Sequence, residues 1–372
     1  MKYYLIAGER SGDMHAANLI KKLIIEDPRS QFRGFGGQKM REAGAEITID
    51  YRELAVMGFV EVVLSLRKIL NYLKLCQQDI LKYQPNVLIL VDYPGFNLRM
   101  AKWARKKGLK VFYYISPKIW AWNTGRAKII KDNVDHMFSI LPFEKDFYRQ
   151  FDFDVDYIGN PVADAVYSFK PDDAFVIKTK LPKDKFIVAL LPGSRKQELQ
   201  NMLPLMLQVC QLFPDFHFVI AAINDMDQHF YQPFAKLENT SIVYEQTYDL
   251  LARANAAIVT SGTATLETAL FEVPQLVIYR TSWFTYQIGK KLIKIPYISL
   301  VNLIANRMVV KELIQNEMTV ENIKKELHLI IENKAYRKKM LFSYEQIKNT
   351  LGFENTAEKA ATLMIDYLKN PN

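Results

Sequence analysis

Residues 257–270 read AIVTSGTATLETAL: a run that begins as a buried strand and ends as a helix. Between the two lie Thr260, Ser261, Gly262 and Thr263, four small residues carrying three hydroxyls. A continuous apolar run that passes through a tight turn straight into a helix is how a strand of a parallel, helix-covered sheet is written. The same pattern recurs downstream and upstream. Strands are expected at 186–191, 216–221, 241–244, 256–260 and 275–279, and before them at 2–7, 33–35, 87–91, 110–115 and 137–140. Helices are expected over 15–25, 38–43 and from the loop at 92–95 through Lys107. This alternation predicts an α/β protein built of doubly wound parallel sheets. Around 166–185 the texture changes: Pro171, Asp172, Asp173, Pro182, Lys183 and Asp184 accumulate without a sustained strand. A hinge is expected there, dividing a domain 1–168 from a domain 169–344, and after Met318 the chain reads as helical and polar.

Composition bounds the function. A chain of 372 residues, 49% of them hydrophobic, exceeds one typical core and is expected to hold two. The only cysteines, Cys76 and Cys210, are far apart, which argues against a disulfide framework and suits a reducing cytoplasm. Met1 and Lys2 lead directly into the first strand, without the apolar run and small-residue cleavage site of a signal peptide. The apolar stretch 54–66 contains Glu61 and stops at Arg67 and Lys68, too short to span a bilayer of about 20 residues. The charge of +9, from 49 basic and 40 acidic residues, fits a mildly basic solvated surface, an anionic lipid surface or a phosphorylated substrate. With no Cys/His finger, RNP-type motif or long basic tract, no nucleic-acid partner is expected.

In doubly wound folds the binding loops follow the carboxyl ends of strands, and two such domains are expected to face a shared cleft. In the second domain, strand 186–191 runs into Pro192-Gly193-Ser194-Arg195. Gly193 lets a phosphate approach the backbone, and the helix start offers free N–H groups and about half a positive charge. Ser194 belongs to the same cradle, and Arg195 adds a donor fork suited to phosphate. A plain turn with Arg195 pairing a carboxylate is the competing reading. In the opening stretch, Ser261, Gly262 and Thr263 would donate to a second phosphate, and Glu267, one turn on, would accept from ribose hydroxyls. The competing reading there is Thr263 as a helix cap with Glu267 offsetting the dipole. Two such loops in one half-chain favour a nucleotide diphosphate. The chain has neither a Walker A pattern nor Gly-x-Gly-x-x-Gly after a strand, which weakens ATPase and dinucleotide readings.

The first domain offers three more loops. Glu9, Ser11, Gly12 and Asp13 follow the first strand, with Asp13 as a helix cap the alternative. Asp92 ends the strand 87–91 and would act as a general base, worth about 10²–10⁴ in rate; an Asx turn is the alternative. Ser116, Trp120 and Trp122, with Arg126 beside them, suit a sugar and an anionic head group, core packing being the alternative for one tryptophan. Val56, Met57, Phe59, Val60, Val63 and Leu64 followed by Arg67 and Lys68 would rest in a lipid interface, as would Trp283, Phe284 and Tyr286 with Lys290, Lys291 and Lys294. A core helix with a solvated end is the commoner explanation for either. The run DFDVD at 152–156 invites a metal reading, but its alternation fits an edge strand with aspartates in water, and the five histidines have no ligand spacing.

Eight stretches, in order, resemble the bacterial lipid-A-disaccharide synthases: GERSGD (8–13), ELAVMGFVEV (53–62), VDYPGFN (91–97), YISPKIWAW (114–122), LPFEKDFY (141–148), LLPGSR (190–195), SGTATLE (261–267) and SLVNLIANRMVVKELIQ (299–315). The resemblance implies a GT-B glycosyltransferase, with helices at about 345–372 crossing back to the first domain. It implies an inverting, metal-free and cofactor-free transfer from UDP-2,3-diacylglucosamine to 2,3-diacylglucosamine 1-phosphate, giving a β-1,6 disaccharide and UDP. It also implies a peripheral enzyme on the cytoplasmic face of the inner membrane, and leaves the oligomeric state open. Asp92 matches the family's proposed base and Arg195 its arginine; Gly193, Ser194, Ser261, Gly262, Thr263 and Glu267 match donor contacts, and Asn302 is expected near the donor. Glu9, Ser11, Gly12, Asp13, Ser116, Trp120, Trp122 and Arg126 are expected around the acceptor. Two positions depart: Gly95 stands where many members have aspartate, and Asn160 where many have histidine. Other UDP-sugar GT-B enzymes, such as a lipid-linked N-acetylglucosaminyltransferase or an epimerase, lack the paired YISPKIWAW and VDYPGFN motifs. A two-domain binding protein without chemistry predicts binding without turnover.

Overall fold

Residues 3–7 are all buried, which a strand tolerates only when both faces of its sheet are covered, and β1 (Lys2–Ala7) is such a strand. The computed structural model describes residues 1–55, 62–182, 184–224, 226–293 and 295–370. They divide into two units, residues 1–161 with 353–372, and residues 162–352. The second unit therefore begins ahead of the Pro- and Asp-rich stretch expected as the hinge.

The first unit contains β1, β2 (Gln31–Gly36), β3 (Ala45–Asp50), β4 (Val87–Val91), β5 (Lys110–Tyr114), β6 (His136–Ser139) and β7 (Asp156–Tyr157), all parallel, in the order β3-β2-β1-β4-β5-β6-β7. From β1 the chain winds outward to β3, then returns past β1 to start again at β4. The loops after β1 and β4 therefore leave the sheet side by side in opposite directions, the place where such sheets bind ligands. Apolar side chains on both faces of the sheet form two cores. The helix Thr356–Lys369 belongs to this unit. Its Ala360, Ala361, Met364 and Ile365 pack with Leu19, Ile20 and Leu23 of the helix Arg10–Glu26, and the Tyr367 ring stacks on His136 at 3.6 Å.

The second unit repeats the design with β8 (Ile187–Leu191), β9 (His217–Ala222), β10 (Thr240–Tyr244), β11 (Ala256–Thr260), β12 (Gln275–Tyr279) and β13 (Glu312–Ile314). Its order is β10-β9-β8-β11-β12-β13, again all parallel, so the reversal falls between β8 and β11. The run at 152–156 is not the expected edge strand; only Asp156 and Tyr157 pair, while Asp152 and Asp154 are exposed and form ion pairs with Lys131 and Arg149.

Candidate active site

In the first unit, Asp92 and Tyr93 follow β4 with φ of 44° and 47°. Two left-handed residues in succession are unfavourable by about 1–2 kcal/mol each for ordinary L-residues, less for Asp. The bend is held by its neighbours. Tyr113 Oη donates to the Asp92 carbonyl at 2.5 Å, and the buried Asn97 Nδ2 donates to the same carbonyl at 2.8 Å and to that of Val91 at 3.2 Å. The Tyr93 ring lies against Gly8, where any Cβ would stand 2.2 Å from it. This fixes a half-buried carboxylate at the switch point of the sheet. Burial raises the Asp92 pKa, Lys118 opposes the rise and Glu9 adds to it, leaving it at about 6. Such a group is a stronger base than an ordinary aspartate, yet largely ionised at neutral pH.

The neighbouring loops sort into open and committed groups. Glu9 and Ser11 are exposed after β1, and Gly12 is buried against Ala7. Asp13, expected around the acceptor, is engaged by the protein itself. Its buried carboxylate accepts from the amides of Gly37, Lys39 and Met40 at 2.7, 3.0 and 3.2 Å, capping the helix Gln38–Glu42 rather than its own. Trp120 and Ser116 are likewise internal. Trp120 Nε1 donates to the buried Glu144 at 3.0 Å, and the Ser116 hydroxyl lies 3.1 Å from that of Tyr148. Glu144 also accepts from the amides of Ile140 and Leu141, and burial pushes its pKa up to about 7. Trp122, by contrast, is exposed, with the Arg126 guanidinium 4.7 Å from its ring centre. Asn160 is buried and donates to the Ile140 carbonyl at 2.9 Å, a structural anchor rather than a proton carrier. Val56, Met57, Phe59 and Val60 lie outside the described residues. Val63, Leu64 and Arg67 are described only as backbone of the helix Val62–Tyr83, and Lys68 on it is exposed.

In the second unit, the two loops flanking the switch point are both present, in different states. After β8, Gly193 has φ +101°, and a Cβ there would stand 2.3 Å from Glu198 Oε2. That oxygen accepts from the amides of Ser194 and Arg195 at 2.9 and 3.1 Å. The amides expected to be free are therefore held by the protein's own carboxylate at the start of the helix Lys196–Gln211, the glutamate half of a capping box whose other half a guanidinium cannot supply. The Arg195 side chain remains 81% exposed, with a loose 3.6 Å contact to Glu198. After β11, Gly262 and not Thr263 caps the helix Thr263–Leu270, and no side chain closes that end. Gly262 and Thr263 are exposed, and nothing lies within 4 Å of a Cβ built on Gly262. The opening helix turn therefore presents amides to solvent, with the positive dipole end behind them.

Glu267 accepts from Tyr248 Oη at 3.0 Å, and its burial raises its pKa. Ser261 and Asn302, expected at the donor, both make hydrogen bonds within the fold. The Ser261 hydroxyl donates to the Ile298 carbonyl at 3.0 Å. Asn302 is fully buried; its Nδ2 donates to the Val310 carbonyl and to Glu312, and its Oδ1 accepts from the amides of Val309 and Val310. Glu312 also accepts from Ile298 N, Ser299 N and the Ser299 hydroxyl at 3.0, 3.0 and 2.7 Å. These residues brace the Ser261 loop from behind. Glu198, Glu144 and the bracing role of Glu312 carried no role in the sequence reading. Among the described residues, no group of three or more His, Cys, Asp or Glu is placed to hold a metal ion.

The lipid-A-disaccharide synthetase family model matches residues 3–365. The lipid-A-disaccharide synthase of Syntrophus aciditrophicus is 38% identical over 372 residues, covering 98% of this chain and 97% of that protein. Among solved structures, the UDP-GlcNAc 2-epimerase of Neisseria meningitidis bound to UDP-GlcNAc superposes with a TM-score of 0.66 at 15% identity, covering 100% of both chains. The glycotransferase of kitacinnamycin gives a TM-score of 0.66 at 13% identity, covering 99% of each chain. At such identities these two structures speak to the fold alone, two Rossmann-like units of GT-B type.

Proposed function

The chain belongs to the lipid-A-disaccharide synthetase family and is a glycosyltransferase of lipid A biosynthesis, and from that premise we propose its reaction and the residues that carry it. The donor is UDP-2,3-diacylglucosamine and the acceptor 2,3-diacylglucosamine 1-phosphate. Asp92 takes the proton of the acceptor 6-hydroxyl as that oxygen attacks the donor's anomeric carbon. The bond from that carbon to the diphosphate breaks, and UDP leaves with the electron pair. Attack opposite the leaving group converts an α-linked donor into a β-1,6 disaccharide 1-phosphate.

The second unit serves the donor. The exposed Arg195 and the open amides beyond Gly262 neutralise charge on the departing diphosphate, interactions worth about 10²–10³ in rate per well-placed donor. Glu267 keeps one carboxylate oxygen beyond its bond from Tyr248 to accept from the ribose. The observation that supports the reading best is the half-buried Asp92 at a switch point with its pKa raised to about 6.

The protein is proposed to work at the cytoplasmic face of the inner membrane, lying on it. No helix among the described residues is long and apolar enough to cross a membrane. The helix Trp283–Leu292 leaves Trp283 and Phe284 65% and 75% exposed and carries Lys290 and Lys291 in its last turn, the combination an anionic lipid surface attracts. The test is to mix purified protein with both acylated substrates, with and without chelator, and follow products by mass spectrometry. Disaccharide 1-phosphate and UDP in equal amounts are expected; absence of the joined product, or an α linkage, refutes the proposal.

A further inference from the structure

Beside the Asp92 bend, the first unit holds a pocket of about 360 Å³. Its wall is apolar where Phe96, Leu98, Ile129 and Ile69 meet, and three cations, Arg99, Lys102 and Arg126, line the rest with no acidic residue among them. Arg99 and Lys102 are three residues apart on the helix Pro94–Lys106 and so share a face. Arg126 begins the helix Arg126–Asn133 and is held over Trp122. None of the three has a carboxylate within ion-pair distance among the described residues, whereas Arg105, on the same helix but outside the pocket, pairs with Asp135 at 2.7 Å. Three cations around one small pocket, with no carboxylate partner among the described residues, repel one another, and an anion relieves that repulsion. Tyr93, next in sequence to Asp92, lines the same pocket.

We propose that this pocket takes the anomeric phosphate of the acylated acceptor sugar on Arg99, Lys102 and Arg126, with the first carbons of an acyl chain against Phe96, Leu98 and Ile129. The inference rests on the acceptor named above and adds to it the residues that require its phosphate. A phosphomonoester carries about −1.5 to −2 charges at neutral pH, enough to match most of the cluster. Holding the phosphate there anchors the sugar by one end and leaves its 6-hydroxyl for Asp92. The pocket is then a specificity element: it separates the phosphorylated acceptor from the same lipid without phosphate.

Arg99→Ala with Lys102→Ala removes two of the positive charges that line the pocket, and Arg126→Gln removes the third. Both are assayed in nonionic micelles free of anionic lipid. The acceptor KM is expected to rise about tenfold or more in each, while the donor KM stays within about twofold. ³¹P titration of 2,3-diacylglucosamine 1-phosphate in the same micelles measures binding without turnover. It decides the pocket even if wild-type protein makes no disaccharide, a result that would sink the proposed reaction instead. Arg105→Ala is the control and leaves both KM values unchanged. An acceptor affinity unaltered in both variants overturns the proposal. So does an effect confined to phosphatidylglycerol vesicles, which would assign the cations to bilayer headgroups.

Discussion

Replacing Asp92 by Asn tests the base directly and with little disturbance to the fold. Asp92 occupies the left-handed region at φ 44°, which Asn tolerates as well as Asp does, whereas Ala would add about 1–2 kcal/mol of backbone strain. The bend's hydrogen bonds run to the Asp92 carbonyl and survive the change. The variant is expected to lose about 10²–10⁴ in kcat with UDP affinity retained. The pH profile sharpens the test. With a carboxyl pKa of about 6, the wild-type kcat/KM falls as pH drops through that value, and at pH 5 only about one molecule in eleven is ionised. An ordinary aspartate would remain about nine-tenths ionised there. Lys118 favours the ionised form, so Lys118→Gln moves this limb to higher pH; Glu9 opposes it, so Glu9→Gln moves it lower. Initial rates across pH 4.5–8.5, as about ten steps with saturating donor, suffice. If the Asn variant keeps more than a tenth of the rate, Asp92 is not the base. A limb near pH 6 that survives in the variant belongs to the acceptor's phosphate.

Other changes separate binding from scaffolding. Arg195→Ala is expected to weaken UDP binding about tenfold or more by calorimetry without lowering the melting temperature, since the side chain is exposed; unchanged affinity removes its phosphate role. Glu312→Ala strips the acceptor from four donors and should cost about 2–4 kcal/mol, seen as a melting temperature lower by roughly 5–15 °C. Trp120→Phe removes the donor that favours ionised Glu144. Because burial holds that folded-state pKa above its unfolded value, stability falls as pH rises towards about 7, and losing the donor deepens the fall. The melting-temperature loss in Trp120→Phe should therefore be larger at pH 8 than at pH 5; equal losses would refute this.

The sequence made the centre of each sheet readable and left its margins blank. The runs at 87–91 and 256–260 are apolar at nearly every position because β4 and β11 are covered on both faces. The expectation missed β3, an edge strand with only its first and last residues buried, and β13, three residues long, since neither carries enough apolar signal. The loops after central strands were legible for a topological reason: wherever such a strand ends, a site can form. What their side chains do was less so. Asp13 is engaged by residues 37–40, Ser261 by Ile298, and Asn302 by residues 309–312, pairings across chain distances that no local pattern reports. Glu198 was closer at hand, three residues after Arg195, but an arginine, which has no acceptor, stands where Ser or Thr usually signals such a glutamate.

Glu198 changes what donor binding means for this protein. The loop proposed to take the diphosphate already carries an anion of its own, tethered three residues away and thus at a high effective concentration. A diphosphate that uses the same two amides arrives by exchange, not by filling an empty cradle, and the local charge changes less than simple addition would suggest. A lone inorganic phosphate competes poorly against a tethered rival, while a nucleotide gripped also through its base and ribose can evict it. On that proposal, selectivity for the whole nucleotide over its fragments follows from the resident carboxylate, before any contact to the transferred sugar is counted.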